Sequence, residues 1–233
     1  MNMPANHGNN DTAFYIVDFD RTLADSDKLL DVFIGIAQQY ISIPRERIEA
    51  ANADVKARGD SFDTASYVRD HLADSGELDR WSELEKQFIH ESRAFNMLLP
   101  GANELLAFLG ERHERYGILT YGNPLWQHLK LTAAGFNHVH RIILAQKEKG
   151  RLVASWQRDD GLFHLPQEFG GGTAHRVVMI DDKAVSFDGF PPAPSQGFYV
   201  VDKANILPSQ QGSVPSNVTH CQTLDQARAI LFS

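Results

Sequence analysis

The stretch FYIVDFDRTLADS, residues 14–26, decides the fold, because an apolar run in it ends in two aspartates. The run AFYIV (13–17) is continuous, which is typical of a strand buried on both faces of a parallel sheet. Asp18 and Asp20 follow directly, and since side chains alternate along an extended chain, their carboxylates are expected on the same side. Two such carboxylates repel each other unless a cation joins them, and Mg²⁺ prefers oxygen ligands of this kind.

An acidic pair at a strand end can also do chemistry on phosphate. A bound metal lets one aspartate approach a phosphate dianion that would otherwise repel it. That carboxylate can then attack phosphorus and form an aspartyl-phosphate. The second aspartate, two residues on, is placed to protonate the leaving oxygen and later to activate water.

Four further apolar runs suggest the remaining strands of a sheet. They are YGILT (116–120), RIILA (141–145), RVVMI (176–180) and GFYVV (197–201). Helical patterns at 101–114 and 124–135 flank the first of these. Strands that alternate with helices predict an α/β fold with a doubly wound parallel sheet. In such sheets ligands bind at the carboxyl ends of the strands, where Thr120, Lys147 and Asp181 fall.

Residues 26–97 interrupt this alternation with four amphipathic helical patterns. We call residues 26–97 the helical insert and expect it to form its own all-helical domain. Residues 13–25 and 98–233 then form the α/β core domain, and the polar residues 1–12 are expected to be a disordered tail.

Composition limits the class of protein. The 233 residues are 42% hydrophobic and 22% charged, as in ordinary globular proteins, and the formal net charge is −8. That charge argues against nucleic acid as a partner, because phosphate backbones need clustered Lys and Arg. The N-terminus does not read as a secretory signal, and no apolar run reaches the roughly 20 residues of a membrane helix. A single cysteine, Cys221, requires no oxidising compartment. We therefore expect a cytoplasmic protein without a membrane partner.

The motifs, in order, resemble those of the haloacid dehalogenase (HAD) superfamily. DFDRTLADS resembles its first motif, Asp-x-Asp-x-Thr. ILTYGN (118–123) resembles the second motif, and VVMIDD (177–182) resembles the fourth. The helical insert lies where the family has its type-1 cap. The resemblance spans residue 13 to the C-terminus and implies a Rossmann-like HAD core with an inserted helical cap.

The resemblance also implies roles for particular residues. Asp18 would be the nucleophile and Asp20 the general acid/base. The expected phosphate-binding and metal-binding residues are Thr120, Tyr121 and Gly122 for the phosphate, and Asp18, Asp20 (through its main-chain carbonyl), Asp181 and Asp182 for Mg²⁺. A lysine would neutralise the phosphoryl group; Lys147 is the first choice, Lys149 the alternative and Lys130 a distant third.

The sequence departs from the family pattern in three places. Arg21 replaces the glycine that commonly follows the second aspartate. The third-motif lysine is often followed by proline in the family, and this chain has no Lys-Pro. The segment after IDDKAVSF runs quickly into PPAP, which leaves little room for the usual helix.

The expected function is a Mg²⁺-dependent phosphatase that hydrolyses a small phosphomonoester metabolite, as a monomer or homodimer. A phosphomutase or phosphotransferase shares the same motifs and stays open, as does an inactive HAD-like binding protein. A dehalogenase is disfavoured because that branch does not need the second aspartate. On the helical insert, Lys28, Arg58 and Arg69 are candidates to face the substrate.

Overall fold

The structure, a computed structural model, describes residues 12–58 and 60–232. Its strands are β1 Ala13–Val17, β2 Arg115–Tyr121, β3 Arg141–Leu144, β4 Phe163–His164, β5 Thr173–Ala174, β6 Arg176–Asp181, β7 Gln196–Val200 and β8 Val218–Cys221. The expected tail at 1–12 lies outside the described residues except for Thr12. The main-chain carbonyl of Thr12 accepts a hydrogen bond of 2.9 Å from the N–H of His175.

Eight α-helices accompany the strands in the described part of the chain. They are α1 Ser26–Ala37, α2 Arg45–Ala57, α3 Thr64–Asp74, α4 Trp81–Ser92, α5 Ala102–Glu111, α6 Pro124–Ala133, α7 Lys149–Ser155 and α8 Leu224–Leu231. Local chemistry sets several of their starts. Asp25 and Asp63 accept backbone N–H bonds at the starts of α1 and α3, and Pro124 occupies the first turn of α6. The first four helices fall within the helical insert, as predicted.

Six strands form one parallel sheet in the order β3-β2-β1-β6-β7-β8. The chain builds outward from β1 in one direction through β2 and β3, and in the other through β6, β7 and β8. The topological switch point therefore lies between β1 and β6, and ligands bind at such points. Val17 pairs with Ile180 there, so Asp18 and Asp181 emerge side by side.

The sheet separates two apolar cores because its side chains alternate between faces. Tyr15, Val17 and Ile180 point into a core shared with the helical insert, α5, α6 and α8. Phe14, Ile16 and other alternate residues point into a second core, which includes Val153 of α7. The prediction of a doubly wound α/β sheet is confirmed. The sequence missed edge strand β8 and the short antiparallel hairpin of β4 and β5.

An aromatic cluster joins the helical insert to the sheet domain. The Trp126 ring of α6 lies 4.8 Å from the Phe33 ring of α1 and 5.9 Å from the Phe88 ring of α4, between centroids. All three side chains are buried, so the insert packs against α6 through apolar contact. Among the described helices, none combines the length and apolarity needed to cross a membrane.

Candidate active site

The turn after β1 fixes the first acidic pair. The N–H groups of Leu23 and Ala24 both donate to the carbonyl of Phe19, at 3.0 and 2.9 Å, and close the chain into a tight loop. Within that loop Arg21 has φ +60°, a left-handed conformation that costs an L-residue free energy and that glycine adopts without penalty. The family preference for glycine here therefore has a backbone cause. The Thr22 hydroxyl donates to Asp18 Oδ2 at 3.0 Å and holds that carboxylate in place.

Three buried aspartates converge at the switch point. Carboxylate oxygens of Asp18, Asp181 and Asp182 all lie within 4.8 Å of one another. Asp182 Oδ1 is buried and has no hydrogen-bond partner among the described residues. An orphaned carboxylate oxygen beside two others is a donor set that fits a hard divalent cation such as Mg²⁺. The Asp20 carboxylate does not belong to this cluster.

Burial and the neighbouring carboxylates disfavour the charged forms of Asp18 and Asp182. Burial, opposed by Lys149 and reinforced by Asp181, raises the pKa of Asp18 to about 6. Burial and the neighbouring acids Asp18 and Asp181 raise the pKa of Asp182 to about 7. A group of carboxylates that resists ionisation in this way gains stability when a cation joins it.

Lys149 already supplies one cation. Its Nζ donates to Asp18 Oδ1 at 2.5 Å and to Asp181 Oδ2 at 2.6 Å, bridging acids from β1 and β6. Burial would lower its pKa, but the charges of Asp18 and Asp181 outweigh burial and raise it. The position of α7, which brings Lys149 to the aspartates, depends on Gly150, where a Cβ would lie 2.6 Å from the carbonyl oxygen of Asp188. Residue 150 must therefore be glycine for α7 to start this close to the segment 187–190, which follows β6.

The structure separates the three candidate lysines. Lys149, the alternative from the sequence, contacts the aspartate cluster. Lys147, the first choice, extends instead over the ring of Tyr121, with Nζ 5.5 Å from the ring centroid. Lys130, the distant third, pairs with Asp20. The reason is local, since α7 begins at Lys149 and its first turn points that side chain inward.

Asp20 is held apart from the cluster by residues of α1 and α6. Ser26 Oγ donates to Asp20 Oδ1 at 2.5 Å and Gln127 Nε2 donates to Oδ2 at 2.6 Å. Lys130 Nζ forms an ion pair with Oδ1. Burial alone would raise the pKa of Asp20, but the charge and hydrogen bond of Lys130 with the other donors lower it. In this arrangement Asp20 is an ionised carboxylate.

Thr120 is the last residue but one of β2, the strand that pairs with β1, and it is fully buried. Its hydroxyl has no hydrogen-bond partner among the described residues, so it is available to an incoming oxygen. Gly122 has φ +148°, and a Cβ there would lie 2.5 Å from Gln127 Nε2. That same nitrogen donates to the carbonyl of Tyr121 at 2.7 Å, which ties the loop after β2 to α6.

Sequence reasoning missed Gln210, which reaches the site from a distant loop. Its Nε2 donates to Asp182 Oδ2 at 2.8 Å, and its Oε1 accepts from the N–H of Leu207 at 2.9 Å. The Tyr199 hydroxyl donates to its carbonyl at 2.5 Å. The sequence predicts only a Pro- and Gly-rich loop at 207–217, because nothing in that composition indicates which amide turns inward. Gln127 was missed for the same reason, although its helix was predicted.

A cavity of about 650 Å³ opens between the helical insert and the strand ends. Asp20, Tyr121, Lys147 and Lys183 line it on the core side. None of the insert candidates Lys28, Arg58 and Arg69 is among its lining residues. Instead Lys28 donates to the carbonyl of Asn96, Arg58 pairs with Asp54, and Arg69 lies 3.9 Å from Asp70.

Comparison with known proteins was made for sequence and for structure. No protein-family model and no curated protein matches the chain. A solved structure from Burkholderia xenovorans, described as a haloacid dehalogenase-like hydrolase, has a TM-score of 0.64 at 17% identity, over 94% of this chain and 96% of that one. A HAD phosphatase from Thermococcus onnurineus has 0.57 at 18%, over 94% and 98%. The HAD-hydrolase YfnB from Bacillus subtilis, bound to magnesium, has 0.54 at 16%, over 95% and 99%. Dehalogenases are also among the matching structures. At these identities the likeness shows a shared fold.

Proposed function

From the premise that this chain has the haloacid dehalogenase-like fold, we propose that it is a magnesium-dependent phosphatase of small phosphomonoesters. One observation carries the proposal: a lysine ammonium bridges two of three clustered aspartates, and the neighbouring strand β2 holds a buried hydroxyl that has no hydrogen-bond partner among the described residues. Lys149, Asp18 and Thr120 thereby offer a cation, a nucleophile and a hydrogen-bond donor to one tetrahedral group. Phosphoryl transfer needs this combination of positioning and charge cancellation.

In the first half-reaction an oxygen of Asp18 attacks phosphorus, and the bond from phosphorus to the leaving alcohol breaks. The Thr120 hydroxyl donates to a phosphoryl oxygen, and the Lys149 ammonium offsets the negative charge on the transferring group. Asp18, Asp181 and Asp182, with the Asp20 carbonyl, would hold a magnesium ion, which would supply the divalent charge that the phosphate dianion requires. The product is an aspartyl-phosphate on Asp18.

In the second half-reaction water attacks that phosphorus, which restores the Asp18 carboxylate and releases inorganic phosphate. We propose that Asp20 protonates the leaving oxygen in the first step and takes the proton of water in the second. The charge state favoured by Lys130 suits acceptance of a proton. Donation in the first step uses the proton that Asp20 takes from water in the preceding turnover, and Asp20 must separate from Lys130 to hold that proton. The helical insert, which we propose as the cap domain over residues 26–97, would cover the site during both steps.

The decisive experiment is a hydrolysis assay with a panel of phosphomonoesters, in Mg²⁺ and in EDTA. We expect release of inorganic phosphate that requires Mg²⁺ and is lost in Asp18→Asn. A parallel panel of 2-haloacids tests the dehalogenase reaction. Transfer of phosphate from a sugar phosphate to a second sugar, instead of to water, tests the phosphomutase reaction. Halide release without phosphatase activity, or no turnover by folded protein on any panel, would contradict the proposal.

A further inference from the structure

The cavity of about 650 Å³ has two sides with different charges. Its core side carries Lys147 and Lys183, which follow strands β3 and β6 at the aspartate cluster. Its insert side is lined by residues of α1, of the end of α2 and of the loop before α3, namely Ser26, Asp27, Leu30, Asn52, Ala57, Asp60, Ser61, Phe62 and Thr64. The insert side therefore has two carboxylates, Asp27 and Asp60, and the charge of Asp27 is balanced by Arg21, which also lines the cavity.

The other two cations that line the cavity are already paired. Arg21 Nη2 donates to both oxygens of Asp27, at 2.8 and 2.9 Å, in a bidentate contact. Lys130 forms its ion pair with Asp20. Each of these side chains carries one positive charge, and the carboxylate that it contacts already balances that charge.

The charges on the core side match a single phosphate. The three clustered aspartates and Lys149 together carry two negative charges, which a divalent cation neutralises. A phosphate dianion placed there then meets the two positive charges of Lys147 and Lys183. Lys183 is tied to the cluster through its backbone, because its N–H donates to Asp181 Oδ1 at 2.8 Å. Among the described residues that line the cavity, the remaining cations, Arg21 and Lys130, form ion pairs with Asp27 and Asp20.

The insert side has surface for an apolar group. Leu30 and Phe62 contribute to its walls with half-buried side chains, and the buried Trp126 of α6 lines the cavity beside them. The loop that carries Asp60 and Phe62 is fixed to the core, since Asn123 Nδ2 donates to the carbonyl of Ser61 at 2.8 Å. These residues thus form a defined wall opposite the aspartate cluster.

Resting on the proposed phosphatase function, we infer that the substrate is a phosphomonoester with one phosphate, whose organic part has no negative charge and is partly apolar. The organic part lies against the insert side, where Asp60 repels a carboxylate or second phosphate and Asp27 balances the charge of Arg21. This selects against bisphosphates and phosphorylated acids.

An isosteric pair of esters tests the inference. The substrates 4-carbamoylphenyl phosphate and 4-carboxyphenyl phosphate differ in one charge at nearly constant shape. We expect kcat/KM to favour the amide by about tenfold at low ionic strength, and the ratio to shrink in high salt because exposed charges are screened. An equal rate, or a faster carboxylate, overturns the inference while leaving the phosphatase function standing. Turnover of neither ester, nor of any other phosphomonoester, contradicts the function and the inference with it.

Three variants assign the selectivity to the cavity. Asp27→Asn removes a charge and releases Arg21, so we expect the preference for the amide to disappear or reverse. Asp60→Asn should lower the ratio of kcat/KM for the amide ester to kcat/KM for the carboxylate ester without reversing the preference. Asp74→Asn changes an exposed acid of α3 that does not line the cavity, and the ratio should stay at the wild-type value. An identical ratio in all three variants and the wild type would show that these carboxylates do not select the substrate.

Discussion

At the scale of single residues, Lys149 joins acids from two strands, whereas Lys147 lies over an aromatic ring. We expect Lys149→Met to lower kcat by at least about a hundredfold, because it removes a cation aimed at the transferring phosphoryl group. Lys147→Met should lower kcat/KM by less than tenfold. Initial rates with an aryl phosphate measure both, and circular dichroism checks that the variants fold. A larger loss of kcat/KM in Lys147→Met than in Lys149→Met would indicate that Lys147, the first choice from the sequence, neutralises the phosphoryl group.

The free energy that the left-handed backbone of Arg21 costs in the loop after β1 can be measured. Arg21→Gly and Arg21→Ala both remove the ion pair with Asp27, so their difference isolates the φ of +60°. We expect the glycine variant to have the larger free energy of unfolding, by about 1 kcal/mol. Urea denaturation monitored by fluorescence gives the comparison. Equal stabilities would show that the turn relaxes when the arginine is removed.

The residues at strand ends could be predicted, and the lysine could not. Asp18, Thr120 and Asp181 each end a continuous apolar run, and parallel pairing brings such ends to one edge of a sheet. Lys147 and Lys149 lie in a segment where a shift of two residues decides which side chain points inward. That direction is set by where α7 begins and by the close contact at Gly150, and neither leaves a pattern in the sequence.

At the scale of elements, the loop after β7 completes the acidic cluster through Gln210. We expect Gln210→Ala to weaken Mg²⁺ binding by about tenfold, because partners that orient a ligand contribute this much to metal affinity. Isothermal titration of the apo-protein with Mg²⁺ measures this independently of activity. Gln211→Ala, in the exposed neighbouring residue, is the control and should match the wild type. Unchanged affinity in Gln210→Ala would leave the loop a structural role only.

The elements that the sequence missed lack a strong periodic signal. β8 has only four residues. Val218 and Cys221 at its ends are buried, Thr219 is exposed and His220 is half-buried, so the strand contains no apolar run. β4 and β5 have two residues each. The segment after Asp182 forms a single 3-10 turn, Ala184–Phe187, where a longer helix is usual in the family. The short spacing to PPAP predicted this departure, and the loop with Gln210 now contacts Asp182 there.

At the scale of the whole molecule, one apolar core runs from the sheet through α6 into the helical insert. The helical spacing predicts that the insert is a unit of its own. The shared core could not be predicted, because an apolar stripe on a helix does not indicate which surface it packs against. Trp126 shows the difference: it packs against Phe33 and Phe88 and also lines the cavity. The lining of the cavity and the packing of the insert therefore meet at one side chain.

Labelling of the Cys221 thiol measures how often the folded structure around β8 opens. Cys221 ends edge strand β8, is completely buried, and its pKa is raised to about 11 by burial. Reaction with a disulfide reagent at pH 8 requires an exposed thiolate, so labelling must wait for an opening of the fold.

We expect native protein to react at least about a thousandfold more slowly than protein in guanidinium chloride, because only the small open population is labelled. Absorbance of the released thiol measures both rates, and far-ultraviolet circular dichroism monitors the fold alongside. Slow labelling that accelerates with urea in step with loss of the circular dichroism signal means that β8 opens only when the molecule unfolds. Fast labelling at full signal would instead show that β8 and α8 detach locally from a sheet that otherwise stays folded.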